Sequence, residues 1–173
     1  RFGIVTTGKG HLDLMEALER LGLDEARLTE LGVGIYKVGM VWPLELAGMC
    51  EFLEGKEEIL VVEEKRGIIE SQIKEYIFSH EGAPECRVYG KENADGSELL
   101  PWVGELSPLM VMKAVSKQLG KMFSASFDTI IAEASSKPTK AAPITDISRM
   151  PYFCSGCPHN RSTVVPEGSK ALA

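Results

Sequence analysis

"EEILVVEEKRGIIESQIKEYIFSH", residues 57–80, decides the fold. Its centre, Ile59-Leu60-Val61-Val62, is a continuous apolar run, short and rich in β-branched residues. Such a run reads as a strand covered on both faces rather than one with a wet side. Four charges at 63–66 end it, and "GIIESQIKEYIFSH" at 67–80 reads as a helix. The segment is therefore a strand that turns at once into a helix, the repeating half of a parallel, helix-covered sheet.

The same unit recurs upstream. "FGIVTTG" (2–8) reads as a buried strand closed by a glycine turn, and "HLDLMEALERLGL" (11–23) as a helix. In that helix Leu12, Met15, Leu18 and Leu21 or Leu23 are expected to face the core, with Asp13, Glu16, Glu19 and Arg20 facing water. "GIYKVG" (34–39) is a second strand and "WPLELAGMCEFLEG" (42–55) a helix, with Pro43 in its first turn and Gly55 at its stop. "ECRVYGK" (85–91) is a fourth, weaker strand. In "LSPLMVMKAVSKQLGKMF" (106–123), Ser107 is a natural N-cap and Pro108 the first helical residue.

These patterns predict an α/β fold with a mainly parallel sheet covered by helices, followed by an extended C-terminal tail. The expected organisation is a compact domain over 1–125, a linker over 126–145 and the opening of another domain over 146–173. "AEASSKPTKAAPITD" carries the linker reading, being rich in Ala, Ser, Pro and Lys without apolar periodicity. The chain starts at Arg1, almost in a strand, and stops at Ala173 as a helical pattern begins, so it is expected to be a piece of a longer protein.

Composition narrows the function. The 173 residues are 44% hydrophobic and 25% charged, enough for one sizeable core. A formal net charge of −6 argues against nucleic acid as the main partner. No apolar run approaches the roughly 20 residues of a membrane span. The four cysteines, Cys50, Cys86, Cys154 and Cys157, are too few for a secreted disulfide framework, which points to the cytoplasm. Cys50 and Cys86 read as small core residues.

The candidate chemistry lies in "PYFCSGCPHN", residues 151–160. Cys154 and Cys157 stand in a C-x-x-C spacing that can serve as half of a metal or cluster site, as a redox pair, or as structural thiols. No second C-x-x-C or C-x-x-H completes a four-ligand set within the chain. "TTGKGH" (6–11) is a second candidate, in which Gly8, Lys9 and Gly10 hold a small anion at a strand-to-helix turn. It lacks full P-loop or G-x-G-x-x-G spacing and reads first as a tight turn. "VVEEKRG" (61–67) reads as a solvated turn, His11 and His80 as surface residues, and Trp42 as a packing residue.

"GIVTTGKGHLDLMEAL", "LGVGIYKVGMVWPLE", "EEILVVEEKRGIIESQIKE" and above all "MPYFCSGCPHNRSTVVPEGSKALA" resemble the indolepyruvate:ferredoxin oxidoreductases of the long form with fused subunits. The resemblance covers essentially the whole chain. It implies a transketolase C-terminal-like domain and the start of a thiamine-diphosphate-binding domain, in an enzyme that oxidatively decarboxylates aryl or branched 2-oxoacids to acyl-CoA. Such an enzyme uses thiamine diphosphate with Mg, and 4Fe-4S clusters that pass electrons to ferredoxin. The implied partners are the rest of the parent chain, ferredoxin, the 2-oxoacid and CoA, in a homo-oligomer. By the same resemblance Cys154 and Cys157 are cluster ligands, and Gly156, His159 and Asn160 line the cofactor side. No catalytic residue falls in these residues, because the thiamine-activating glutamate, the metal-binding diphosphate motif and the remaining cluster cysteines are missing from them. The chain alone is expected to bind no cofactor and to be silent. The alternative is a free-standing anion-binding α/β module with a redox-sensing thiol pair.

Overall fold

A computed structural model describes residues 1–123, 127–136, 153–162 and 164–168. The chain divides into two units, Arg1–Lys137 and Pro138–Ala173. In the first, four strands form one all-parallel sheet in the order β2-β1-β3-β4. They are β1 (Phe2–Thr6), β2 (Val33–Lys37), β3 (Glu58–Val62) and β4 (Arg87–Tyr89). Helices α1 (Gly8–Arg20), α2 (Glu25–Glu30), α3 (Leu46–Leu53), α4 (Ile68–Ser79), α5 (Pro108–Phe123) and α6 (Asp128–Ser136) complete the unit. This is the helix-covered parallel architecture that the resemblance implies.

The central strands show why the apolar run is unbroken. Phe2 and Ile4 of β1 and Leu60 and Val62 of β3 pack with α1 and α5 residues in one core. Val5, Ile59 and Val61 point the other way, into a second core with Met49 and Leu53 of α3 and Ile69 and Ile73 of α4. Side chains alternate faces along a strand, so a strand buried on both sides needs apolar residues at every position. Gly10 lets α1 approach the end of β3, since a Cβ there would stand 3.1 Å from the Val62 carbonyl oxygen.

Several expectations are corrected. In α1 the buried residues are Gly10, Asp13, Leu14, Ala17 and Leu18, whereas Leu12 is 67% exposed and Met15 also stands out. In the first two turns the predicted stripe is rotated toward Asp13 and Leu14, with Asp13 ion-paired to Lys9, whereas Leu18, Leu21 and Leu23 are buried as expected. Pro43 is not in a helical first turn: it follows Trp42 through a cis peptide bond, outside α3. Glu45 caps α3 instead, accepting hydrogen bonds from the Ala47 and Gly48 amides at 2.7 and 2.9 Å, and Gly55 follows the helix end as read. Trp42 is 72% exposed rather than packed. Helix α2, capped by Asp24, was not foreseen in "DEARLTE". Residues 128–136, within the stretch read as linker, form α6, and Phe127 and Ala134 pack against the α1/α5 core.

Ser107 and Pro108 behave as read, with Pro108 opening α5 and the Met110 amide reaching the Ser107 hydroxyl at 3.4 Å. Cys50 and Cys86 are half-buried, and burial pushes the Cys86 thiol up to about 11. In the second unit the described residues form a turn and a one-turn helix, α7 (His159–Ser162). The linker and the tail are described only in part, over 127–136, 153–162 and 164–168. Among the described residues no helix is long and apolar enough to cross a membrane.

Candidate functional site

Cys154-Ser155-Gly156-Cys157 is a β-turn, closed by the Cys157 amide donating to the Cys154 carbonyl at 3.0 Å. Gly156 takes φ +80° at its third position, a left-handed conformation in which a Cβ is strained. Pro158 then opens α7, and its carbonyl accepts from the Arg161 amide at 3.1 Å. Asn160 ties the pieces together by donating from Nδ2 to the Cys154 carbonyl at 3.0 Å. His159 Nδ1 lies 3.2 Å from Cys157 Sγ, and its ring stacks on Phe153 with centroids 5.2 Å apart. One turn therefore gathers all five residues singled out in the sequence. Both thiols are free, with Cys154 exposed and Cys157 half-buried.

The two thiols supply half of the four ligands that a cluster or a structural zinc takes. His159 is already engaged with Cys157, and no group of three or more His, Cys, Asp or Glu among the described residues could hold a metal ion. The donor set present here does not make a complete metal or cluster site.

In the first unit the carboxyl ends of the strands, where parallel sheets place ligands, are filled by charge. Lys9 Nζ donates to Asp13 Oδ2 at 2.8 Å and to the Leu106 carbonyl at 2.9 Å. Glu105 and Glu64 stand 3.4 and 3.7 Å from the same ammonium. The hydrogen bond that Lys9 donates to Asp13 holds the Lys9 pKa above its ordinary value. An anion at Gly8–Gly10 would face three carboxylates and a cation already neutralised, so the geometry does not favour the anion-binding module.

"VVEEKRG" is likewise not a simple solvated turn. Glu63 is buried, and its carboxylate accepts the Ile68, Ile69 and Glu70 amides at 2.9–3.0 Å, capping α4 in place of a conventional N-cap side chain. Burial raises its pKa, while those backbone hydrogen bonds work in the opposite direction. Behind it Lys91, only 1% exposed, donates from Nζ to the Glu63 carbonyl at 2.5 Å and to the Pro101 carbonyl at 3.2 Å. Its amide donates to Glu70 Oε2 at 2.9 Å, and Lys74 reaches Glu70 Oε1 at 2.6 Å. Burial lowers the Lys91 pKa. Nothing in "RVYGKENADG" marks Lys91 as buried, because a lysine followed by polar turn residues reads as surface. His11 is half-buried rather than at the surface: its Nδ1 is enclosed without a hydrogen-bond partner among the described residues, and burial, helped by Lys37, lowers its pKa. His80 is exposed, as read.

The sequence matches the family model of the indolepyruvate oxidoreductase domain over residues 1–138, which is essentially the first compact unit. The chain belongs to the indolepyruvate oxidoreductase domain family. Curated relatives extend the likeness past the family match. The indolepyruvate oxidoreductase subunit IorA of Thermococcus kodakarensis is 28% identical over 162 residues, 94% of this chain and 22% of that protein. The Pyrococcus horikoshii subunit IorA is 29% identical over the same shares. The Methanothermobacter marburgensis subunit IorA is 31% identical over 157 residues, 91% of this chain and 21% of the relative. The indolepyruvate oxidoreductase domain described here therefore spans about a fifth of the length of the relatives it matches. No solved structure matches the chain.

Proposed function

We propose that this chain is the middle part of a 2-oxoacid:ferredoxin oxidoreductase of the indolepyruvate type, working as scaffold and cofactor-adjacent segment rather than as a self-contained catalyst. The parent would convert aryl or branched 2-oxoacids to acyl-CoA and pass the electrons through 4Fe-4S clusters to ferredoxin, as a homo-oligomer in the cytoplasm. The observation that carries this reading is the family match over residues 1–138, continued by the subunit IorA relatives across the cysteine turn. Thiamine diphosphate with Mg, when bound by the parent, supplies the electron sink for decarboxylation.

In this reading the transketolase C-terminal-like body, expected over 1–125, runs on through α6 to Lys137, and 146–173 opens the thiamine-diphosphate domain. Cys154 and Cys157 contribute two thiolates toward a cluster, and Gly156, His159 and Asn160 face the cofactor. The Asn160 bond to the Cys154 carbonyl and the His159 contact with Cys157 Sγ hold both thiols on one turn, so ligation costs little further ordering.

The test uses the full-length parent, with Cys154→Ser and Cys157→Ser assayed for iron content and for 2-oxoacid-dependent ferredoxin reduction. Loss of one cluster's iron together with ferredoxin reduction is expected. Full iron content in both variants would remove the ligand role. The 173-residue chain itself should stay colourless after iron and sulfide treatment and turn over no 2-oxoacid.

A further inference from the structure

We propose that the groove between α5 and α6 binds a small organic phosphate, with the phosphate held by Lys113, Lys117 and Lys121 and an apolar group against Phe127 and Ile131. The groove lies wholly within the first unit and encloses about 500 Å³, within the range of small-molecule sites. This inference does not rest on the oxidoreductase reading.

Helix α5 is buried around most of its circumference, including Val111, Met112, Ala114, Val115, Gln118 and Leu119. Its open strip carries Lys113, Lys117 and Lys121 at i, i+4 and i+8, all exposed, and the helix contains no acidic residue. Like charges at this spacing repel one another. Arg20, Arg27 and Lys74 on other helices each pair with a carboxylate three or four residues away. None of the three α5 lysines makes an ion pair with a described carboxylate, although the chain carries a net charge of −6. Lys121 lies 5.9 Å above the Tyr89 ring, and Lys117 is near enough to Asp95 to help lower its pKa without forming an ion pair.

A second observation points to the same place. Ser116 also lines the groove, is 9% exposed, and has a hydroxyl without a protein hydrogen-bond partner among the described residues. A buried hydroxyl left unpaired is destabilising, and a bound acceptor oxygen would satisfy it. Phe127 and Ile131 supply an apolar wall from α6. Asp128, the carboxylate among the lining residues, has a partner of its own. Three ammonium point charges suit a multiply charged phosphate better than a single carboxylate, and the apolar wall selects an ester over the inorganic ion.

Titration calorimetry of the 173-residue chain at low ionic strength, with 1-naphthyl phosphate as probe, tests this. One saturable site is expected, with inorganic pyrophosphate competing for it. Lys117→Glu should weaken binding about tenfold or more and Ser116→Ala by several-fold, in line with charge-assisted and neutral hydrogen bonds respectively. Lys117→Gln, with a circular dichroism spectrum matching the parent chain, should weaken it less than Lys117→Glu. Lys37→Glu, on β2, should leave it unchanged. Absence of a saturable isotherm, or equal weakening by Lys37→Glu, would overturn the proposal. Displacement of the probe by poly-glutamate but not by pyrophosphate would also overturn it, assigning the lysine strip to an acidic protein partner.

Discussion

The first unit and the cysteine turn are held together in opposite ways. In the first unit charged side chains, some of them buried, are tied over long stretches of chain. Lys9 bonds a carbonyl 97 residues away, Lys91 bonds one 28 residues away, and Glu64 accepts the Leu106 amide across 42. In the turn, the side-chain hydrogen bonds from Cys157 and Asn160 span two and six residues. The same apolar-and-charged vocabulary thus serves two purposes. One region uses polar groups to fix a body, whereas the other holds two thiols on one short turn and leaves Cys154 exposed.

The sharpest way to break this contrast is to remove the buried cation. Lys91→Met leaves the Glu63 and Pro101 carbonyls without their donor and the Glu63 carboxylate without its nearby positive charge, while Glu70 keeps Lys74. A loss of about 3–5 kcal/mol in urea unfolding is expected, because two carbonyls lose their donor and the buried Glu63 carboxylate loses its compensating charge. A loss below about 1 kcal/mol would show that Lys91 is incidental to the body.

The face of α1 gives the next largest effect. Leu14→Ala should cost about 2–5 kcal/mol because Leu14 is fully buried. Leu12→Ala should stay within about 0.5 kcal/mol because Leu12 is largely exposed. The reverse ranking would restore the periodic reading of the sequence.

His11 gives a smaller, pH-dependent effect. Its folded pKa lies below the ordinary 6.5, so the unfolded chain takes up a proton first as pH falls. Stability contributed by neutral His11 is then complete above about 6.5 and is lost as pH drops from there toward the folded pKa. Unfolding midpoints measured from pH 7.5 down to 5 should decline, and His11→Gln should flatten that slope. An unchanged slope would mean that other groups carry it. Lys37 contributes repulsion to the protonated form, so Lys37→Met should shallow the decline without removing it.

The smallest effect belongs to the turn. Replacing both Cys154 and Cys157 with serine should change the stability of the chain by no more than about 0.5 kcal/mol, since neither thiol is part of a core. A larger loss would mean that the turn supports the fold and would erase the distinction drawn above.

Strands β1 and β3 were legible because burial on both faces leaves a continuous apolar run, as in Ile59–Val62, whereas β2 and β4 are only partly buried and show weaker patterns. The cysteine turn was legible because all its contacts are local: Gly156, Asn160 and His159 lie within six residues of Cys154. The rotation of α1 was not, because Asp13 looks like a surface acid until Lys9 and Leu106 are placed beside it. Trp42 and Pro43 misled for a related reason, since a turn with a cis peptide bond and a cap by Glu45 both depend on surroundings that sequence periodicity does not report. Helix α2 had a readable signal in Asp24, whose carboxylate accepts the Arg27 amide at 2.8 Å, but the six-residue helix is too short to show a hydrophobic stripe.

Sequence by itself determined the fold class, the order of strands and major helices, and the close pairing of two thiols, because these follow from short-range periodicity, caps and spacing. Tertiary structure decided which charges are buried, which face of α1 is inside, and that Lys9 is spent on carboxylates rather than free for an anion. Those outcomes depend on residues distant in the chain meeting in space, where desolvation and ion pairing are settled by neighbours that no local pattern contains.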